Sequence, residues 1–263
     1  MSKIAIIGAR GFVGSYLTNH LNDVIPILRS DFNILDRNSF LAFVINVKPK
    51  IIINCVSFGN KTPHDTNHQD LANNLIWYNI LKEASEYVDG IINIGSGAEF
   101  DMTKEISFAN ERLIFDRTPS SSYGLAKNLI ARDITYQEKF CTLRLFGCFG
   151  PRELDSRLFK RYISSKEFYL NNRLFDYFSI QDFTSVVDTI VNNKIFNGTD
   201  INCVYEEKLF LDEILLLFKN IKGYNIPVVV EKQGLSYTGS CKNLNQLNVP
   251  LIGLEKGIEL WQE

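Results

Sequence analysis

The stretch Ile4-Ala5-Ile6-Ile7-Gly8-Ala9-Arg10-Gly11-Phe12-Val13-Gly14 decides the fold. Four apolar residues closing on a glycine have the pattern of a short buried strand. A helical pattern follows through Val13, Tyr16, Leu17 and Leu21. Between them lies Gly8-x-x-Gly11-x-x-Gly14. Gly8 allows the tight exit from the strand, Gly11 admits a pyrophosphate against the backbone, and Gly14 lets the helix pack on the sheet. The free N–H groups and dipole at the helix start favour phosphate. In this strand–loop–helix setting the motif points to dinucleotide binding rather than a structural turn. Arg10, Phe12 and Val13 are expected beside the ligand.

Outward from this motif the chain alternates. Further strands are expected over 24–28, 51–53, 90–94 and 142–146, and helices over 36–47, 70–87 and 121–140. Asp36 is a candidate N-cap, and Pro49 ends the helix before it. The rhythm implies an α/β fold, a Rossmann-type doubly wound parallel sheet covered on both faces. Residues 1–150 are expected to form the NAD(P)-binding domain. Residues 151–263 are expected to form mainly a small α/β substrate-binding lobe, with elements at about 174–200 returning to the sheet. In that half, helices are expected at 157–164, 183–192 and 211–221, and strands at 177–180 and 226–230. There is no repeat or low-complexity tract.

The 263 residues are 45% hydrophobic and 22% charged, with net charge -2, which fits a soluble globular chain with a substantial core. Near-neutral charge leaves no footprint for nucleic acid or a membrane surface. No apolar run approaches the ~20 residues needed to span a bilayer. Met1 leads at once into the first strand, so no signal peptide is expected. Scattered Cys55, Cys141, Cys148, Cys203 and Cys241 then read as reduced thiols in a cytoplasm.

The end of the second strand bears on which dinucleotide binds. An acidic residue there pairs with the ribose hydroxyls of NAD, whereas an arginine accommodates the 2′-phosphate of NADP. Arg29 and Arg10 favour NADP, unless they are solvated surface charges. Asp31 either caps the next turn or takes the NAD role. NADP (NADPH) is therefore favoured, with NAD the alternative.

Tyr123 and Lys127, in Ser121-Ser122-Tyr123-Gly124-Leu125-Ala126-Lys127, stand at i and i+4 on one helix face. A cation beside a phenol lowers its pKa towards working pH, so Tyr123 is expected to pass a proton to or from a carbonyl or hydroxyl. Lys127 is also placed to bond a ribose. Such a pair is also common on helix surfaces. Ser96, closing the fourth strand, raises it: the hydroxyl stands at the carboxyl edge of the sheet, where such folds bind ligands.

Together these features resemble the extended short-chain dehydrogenase/reductases, the NAD(P)-dependent nucleotide-sugar epimerase/dehydratase family. The resemblance adds Pro49-Lys50-Ile51-Ile52-Ile53-Asn54-Cys55, Asn73-Asn74, Leu143-Arg144-Leu145-Phe146 and Tyr177-Phe178-Ser179-Ile180-Gln181-Asp182. Asp31-Phe32-Asn33-Ile34-Leu35-Asp36 looks like the dTDP-4-dehydrorhamnose reductase branch, and Gly8 to Ser15 looks closer to GDP-fucose synthase. The resemblance implies that Tyr123 is the general acid, Lys127 its partner and ribose ligand, and Ser96 the holder of the carbonyl. It places Asn33 and Ile34 by the adenine, Cys55, Val56 and Ser57 along the cofactor, and Asn74 where an Asn helps order the site. Substrate contacts are expected from Ser96, Gly97, Tyr123 and Arg173. A homodimer through the helices at 70–87 and 121–140, and a role in bacterial surface-polysaccharide synthesis, are also implied.

Departures from the family narrow the reaction. Its dehydratases carry an Asp-Glu pair after the catalytic Ser/Thr, where this chain has Gly97-Ala98. GDP-fucose synthase uses a Cys and a later His for epimerisation, where this chain has Ala98 and, near the His position, Arg157. Reduction at C4 of a nucleotide-linked 4-keto-6-deoxy sugar (deoxysugar biosynthesis) survives. The alternatives are an NAD-dependent nucleotide-sugar 4-epimerase and a non-catalytic NADP-binding protein. Gly147 stands where the family has Asn, which puts substrate contacts there in doubt. Glu99-Phe100-Asp101 replaces Val/Ile-Tyr-Gly and suggests an altered pocket edge.

Other residues carry milder expectations. His64 and His68 have zinc-like spacing on a helix but no third ligand, so no metal is expected. Cys148 is read as a buried thiol. The aromatic-rich span 159–178 is read as the core of the lobe, and Arg173 as the best candidate to clamp a diphosphate.

Overall fold

Ile4, Ala5, Ile6 and Ile7 are all buried, because strands flank them on both sides and helices cover both faces of the sheet. The computed structural model describes residues 3–28, 30–59, 64 and 66–263. Along the chain run β1 (Ile4–Ile7), α1 (Phe12–His20), β2 (Val24–Ile27), α2 (Arg37–Val47), β3 (Ile51–Asn54), α3 (His68–Ala84), β4 (Gly90–Ser96) and β5 (Ile106–Ala109). Then come α4 (Ser122–Ile134), β6 (Phe140–Leu145), β7 (Gly147–Phe149), α5 (Leu158–Ile163), β8 (Phe168–Asn172) and β9 (Tyr177–Ser179). The chain closes with α6 (Ile180–Asn193), β10 (Thr199–Cys203), α7 (Leu211–Lys222), β11 (Val228–Gln233), β12 (Tyr237–Gly239), α8 (Lys242–Gln246) and α9 (Gly253–Glu259).

Six strands form a parallel sheet in the order β10-β6-β4-β3-β1-β2. Succession reverses between β1 and β3, which makes a crevice at their carboxyl ends. This is the expected doubly wound α/β architecture. The returning strand is β10, paired to β6 and running to Cys203. The edge strand β2 contains Pro26, a residue tolerated where no ladder donor is needed.

Local chemistry sets the helix ends. Asp36 caps α2, its carboxylate accepting from the N–H groups of Asn38 (3.1 Å) and Ser39 (3.4 Å). Ser121 caps α4 by accepting from Gly124 N–H at 3.1 Å. That helix ends at Ile134, short of the expected 140, because Phe140 already begins β6 against Ile91. α3 starts at His68, with His64 outside it, so the two histidines do not share a helix face.

Away from the sheet lie three two-stranded pairings, β8 with β11, β5 with β12 and β7 with β9. Phe149, Phe159, Tyr162, Tyr177, Phe218 and Trp261 form one buried aromatic core, with Phe159 stacked on Phe218 at 4.1 Å. Most of the aromatic span 159–178 therefore packs as expected. Phe178 joins the main core instead, and Tyr169 is exposed.

Candidate active site

The loop after β1 and the loop after β3 bound a cleft of about 770 Å³ at the switch point of the sheet. Gly8 leaves the strand at φ +85°, a conformation that costs a side-chain-bearing residue strain. A Cβ on Gly14 would lie 2.2 Å from the Gly8 carbonyl oxygen, so only glycine lets α1 start this close to the strand. Gly8, Arg10, Gly11, Phe12, Val13 and Gly14 line one wall, and Cys55, Val56 and Ser57 line the other. Phe32, Asn33 and Ile34 close the far end. The cleft meets the N-terminus of α1, so the residues fit a dinucleotide with its diphosphate at the helix start.

Arg29 lies outside the described residues. Asp31 is engaged: its carboxylate accepts the Leu28 N–H at 2.7 Å, so it caps the turn after β2 and is absent from the cleft lining. Asn74 also lies off the cleft. Buried on α3, its side-chain amide donates to the Phe58 carbonyl (2.9 Å) and accepts the Phe58 N–H (3.1 Å), clasping the loop that forms the wall.

The cleft opens into a smaller cavity of about 110 Å³, lined by Ser96, Tyr123 and Lys127, with Phe146, Cys148 and Arg157 around them. Val13, Cys55, Ser57 and Arg157 border both spaces. Tyr123 and Lys127 project from the first turns of α4 and are each only 4% exposed. That burial overturns the expectation of a phenol drawn down by Lys127. Removal from water raises the Tyr123 phenol to about 12, and Glu99 adds to the rise. The nearby Ser96 and Ser57 hydroxyls, and the charge of Arg157, pull back only in part. The Lys127 ammonium meets the Ile94 carbonyl at 2.6 Å. Tyr123 thus keeps its phenolic proton at neutral pH. The Cys55 thiol is likewise pushed up by burial, to about 12, despite the pull of Lys127, so it is not a nucleophile at neutral pH.

Ser96 is held from behind. Its N–H donates to the Glu99 carboxylate at 2.8 Å, and its Oγ accepts the Ala98 N–H at 3.3 Å. Glu99 is fully buried against Arg144 of β6, whose guanidinium also donates to Asp200 and Asn202, both at 2.9 Å. Burial works against the Arg144 charge, and Asp200 and Glu99 more than offset it. The expected altered pocket edge is therefore a buried strut: Glu99, Phe100 and Asp101 line neither cavity.

Gly97 and Arg173, expected at the substrate, do not line the cavity either. The Arg173 guanidinium lies over the rings of Phe175 (5.1 Å) and Tyr237 (5.8 Å). A Cβ on Gly97 would meet the Tyr237 hydroxyl at 2.7 Å and the Phe146 ring at 2.5 Å. Tyr237 was not legible beforehand, because it arrives from β12 with no linear motif around it. Among the described residues no group of three or more His, Cys, Asp or Glu side chains is placed to hold a metal.

Chains of the same fold cover nearly all of this one. A GDP-mannoheptose C4 reductase from Campylobacter jejuni with NADP bound superposes with a TM-score of 0.81 at 18% identity, over 98% of this chain and 96% of that one. A dTDP-4-dehydrorhamnose reductase from Bacillus anthracis in complex with NADP gives 0.82 at 15% identity, over 98% and 96%. A UDP-glucose 4-epimerase from Thermotoga maritima with UDP-glucose gives 0.79 at 18% identity, over the same shares. No curated protein sequence matches the chain. The model of the NAD dependent epimerase/dehydratase family matches residues 4–203, from the first strand of the sheet to the end of its last. With the glycine loop, the switch-point cleft and the Ser96, Tyr123 and Lys127 cluster all inside that match, the chain belongs to the NAD-dependent epimerase/dehydratase family.

Proposed function

We propose that this chain reduces a nucleotide-linked 4-keto-6-deoxy sugar at C4, using NADPH. The observation that carries the reading is the junction of the two cavities: the Ser96, Tyr123 and Lys127 cluster opens directly into the dinucleotide-sized cleft. Arg10 in that cleft, and an Asp31 already occupied by the Leu28 N–H, support the phosphorylated cofactor. NADP-bound reductases among the chains of like fold agree with this choice.

When bound, the reduced nicotinamide supplies the hydride. The chain's own residues do the rest. Ser96 donates a hydrogen bond to the ketone oxygen, and the protonated Tyr123 phenol delivers the proton as charge develops there. Lys127 is placed to bond the nicotinamide ribose. Ala98 has no exchangeable proton, so nothing at that position supports dehydration or epimerisation. Arg173, stacked over Phe175 and Tyr237 outside the cavity lining, is the candidate clamp for the substrate diphosphate. Exposed Ile76 on α3 and Leu129 on α4 mark the face through which a homodimer would form.

The test is NADPH oxidation with a panel of nucleotide 4-keto-6-deoxy sugars. Stoichiometric loss of NADPH with one of them, reduced ~10²–10⁴-fold in Tyr123→Phe, is expected. No consumption, with NAD released only on denaturation, would replace the reductase by a 4-epimerase.

A further inference from the structure

Among the described residues, the two joined spaces are lined by three cations and by no carboxylate. Arg10, exposed, lines the larger; Lys127, buried, lines the smaller; Arg157 borders both. Arg157 ends the loop after β7, immediately before α5, and is half-buried. Its backbone is fixed: the N–H donates to the Leu154 carbonyl at 2.8 Å, and the carbonyl accepts the Arg161 N–H at 2.9 Å. Its side chain caps nothing, and among the described residues no hydrogen bond, ion pair or aromatic ring engages the guanidinium. Glu153, buried in the same loop, turns its carboxylate to the Tyr177 hydroxyl at 3.2 Å instead. Arg144 shows the contrast, since its buried guanidinium is saturated by Glu99, Asp200 and Asn202. Lys127 is likewise engaged, by the Ile94 carbonyl.

A guanidinium drawn partly out of water with no acceptor is costly to hold, and an arriving anion offsets that cost. Arg157 shares its border with Val13 in the first turn of α1, and with Cys55 and Ser57 after β3. The helix start that favours phosphate therefore stands at the same junction. We propose that Arg157 binds a diphosphate at the junction of the two cavities, its planar fork taking two oxygens of one phosphate. Arg173, which lines neither space, does not duplicate this contact. Two ligands carry the group, the dinucleotide and the nucleotide sugar. For the sugar the assignment rests on the reductase reading above; for the dinucleotide it rests on the cleft alone.

The full chain and its Arg157→Gln and Arg157→Lys variants are titrated calorimetrically with NADP⁺, then with UDP, GDP and dTDP after saturation with NADP⁺. Adenosine 2′-phosphate, which carries no diphosphate, is the control. Loss of a charge-assisted phosphate contact is expected to weaken one of the two titrations ~10–100-fold in Arg157→Gln. Arg157→Lys keeps the charge without the fork and is expected to lose less. Binding of adenosine 2′-phosphate and the unfolding midpoint are expected to stay unchanged in both. Weakened NADP⁺ binding assigns the contact to the cofactor, and weakened nucleoside diphosphate binding assigns it to the substrate. Unchanged affinity in both titrations overturns the inference, as does an equal loss with adenosine 2′-phosphate. Wild-type protein that oxidises NADPH with no keto-sugar and binds no nucleoside diphosphate overturns the reductase reading. The NADP⁺ titration then still decides whether Arg157 binds a diphosphate.

Discussion

Glu99 and Arg144 lie wholly out of water with Nε 2.5 Å from the carboxylate, and the same carboxylate fixes the backbone N–H of Ser96. The ion pair thus sits directly behind the candidate active site. Removing one partner of a buried pair leaves the other charge stranded, at ~3–5 kcal/mol. Arg144→Met is therefore expected to lose about that much stability in urea unfolding, and to lose turnover at temperatures where it remains folded. A loss under ~1 kcal/mol would show that Glu99 is held protonated and that the pair is dispensable.

Asn74 is expected to matter to cofactor binding without touching the cofactor. Its side-chain amide clasps Phe58, and the adjoining Cys55, Val56 and Ser57 form a wall of the cleft. Asn74→Ala leaves buried backbone groups unpaired, a cost of ~1–3 kcal/mol. If the wall loosens by that amount, the dissociation constant for NADPH rises ~10-fold, since each ~1.4 kcal/mol is a factor of ten. Isothermal titration checks this, and unchanged affinity in a folded variant would refute it.

Glu153 gives the chain an inverted pH dependence. Burial pushes its carboxyl up to about 7 from 4.5, against the hydrogen bond from the Tyr177 hydroxyl and the charge of Arg157. The folded state then holds a proton that the unfolded chain releases, so stability falls as pH rises from about 4.5 to 7. The full span amounts to ~3 kcal/mol at most. Glu153→Gln is expected to stabilise the protein by ~1–3 kcal/mol at pH 8 and hardly at all at pH 4.5. Denaturant midpoints at the two pH values measure the difference, and an equal gap at both would sink the idea.

The raised Tyr123 phenol sets the alkaline limit of reduction. An acid catalyst works while protonated, and kcat/KM reports the free-enzyme pKa. With the phenol at about 12, kcat/KM for reduction is expected to stay level past ~10, where an ordinary tyrosine ionises. A fall with a midpoint near neutrality, absent in Tyr123→Phe, would mean that Lys127 governs the phenol after all.

Local signals were readable because they are set by neighbours in sequence. Gly8, Gly11 and Gly14 encode a turn, a phosphate approach and a helix contact within seven residues. Tyr123 and Lys127 share a face because a helix repeats near four. Asp36 and Pro49 punctuate α2 as their side chains dictate. What escaped was set by distant packing. The Tyr123 pKa depends on how deeply α4 is buried, which no i, i+4 spacing reveals. Glu99 read as a pocket residue because its partners Arg144 and Asp200 stand on two other strands. Tyr237 lies on a three-residue strand whose neighbours, Phe146 and Phe175, come from other segments. Asp31 had two open roles until its bond to Leu28 showed which one it plays.

At the far side of the sheet, β2 ends the ladder with Pro26 at its middle. The carbonyls of Asp23 and Ile27 accept from Ile4 and Ala9 on the β1 side. Backbone direction alternates along a strand, so residue 26 faces the open side, and there it has no hydrogen to offer. A foreign strand approaching this rim finds a broken row of donors, and pairing cannot propagate along it. Rim-to-rim stacking of sheets, the usual first step of fibre growth, is thereby discouraged at this edge by a single ring closure.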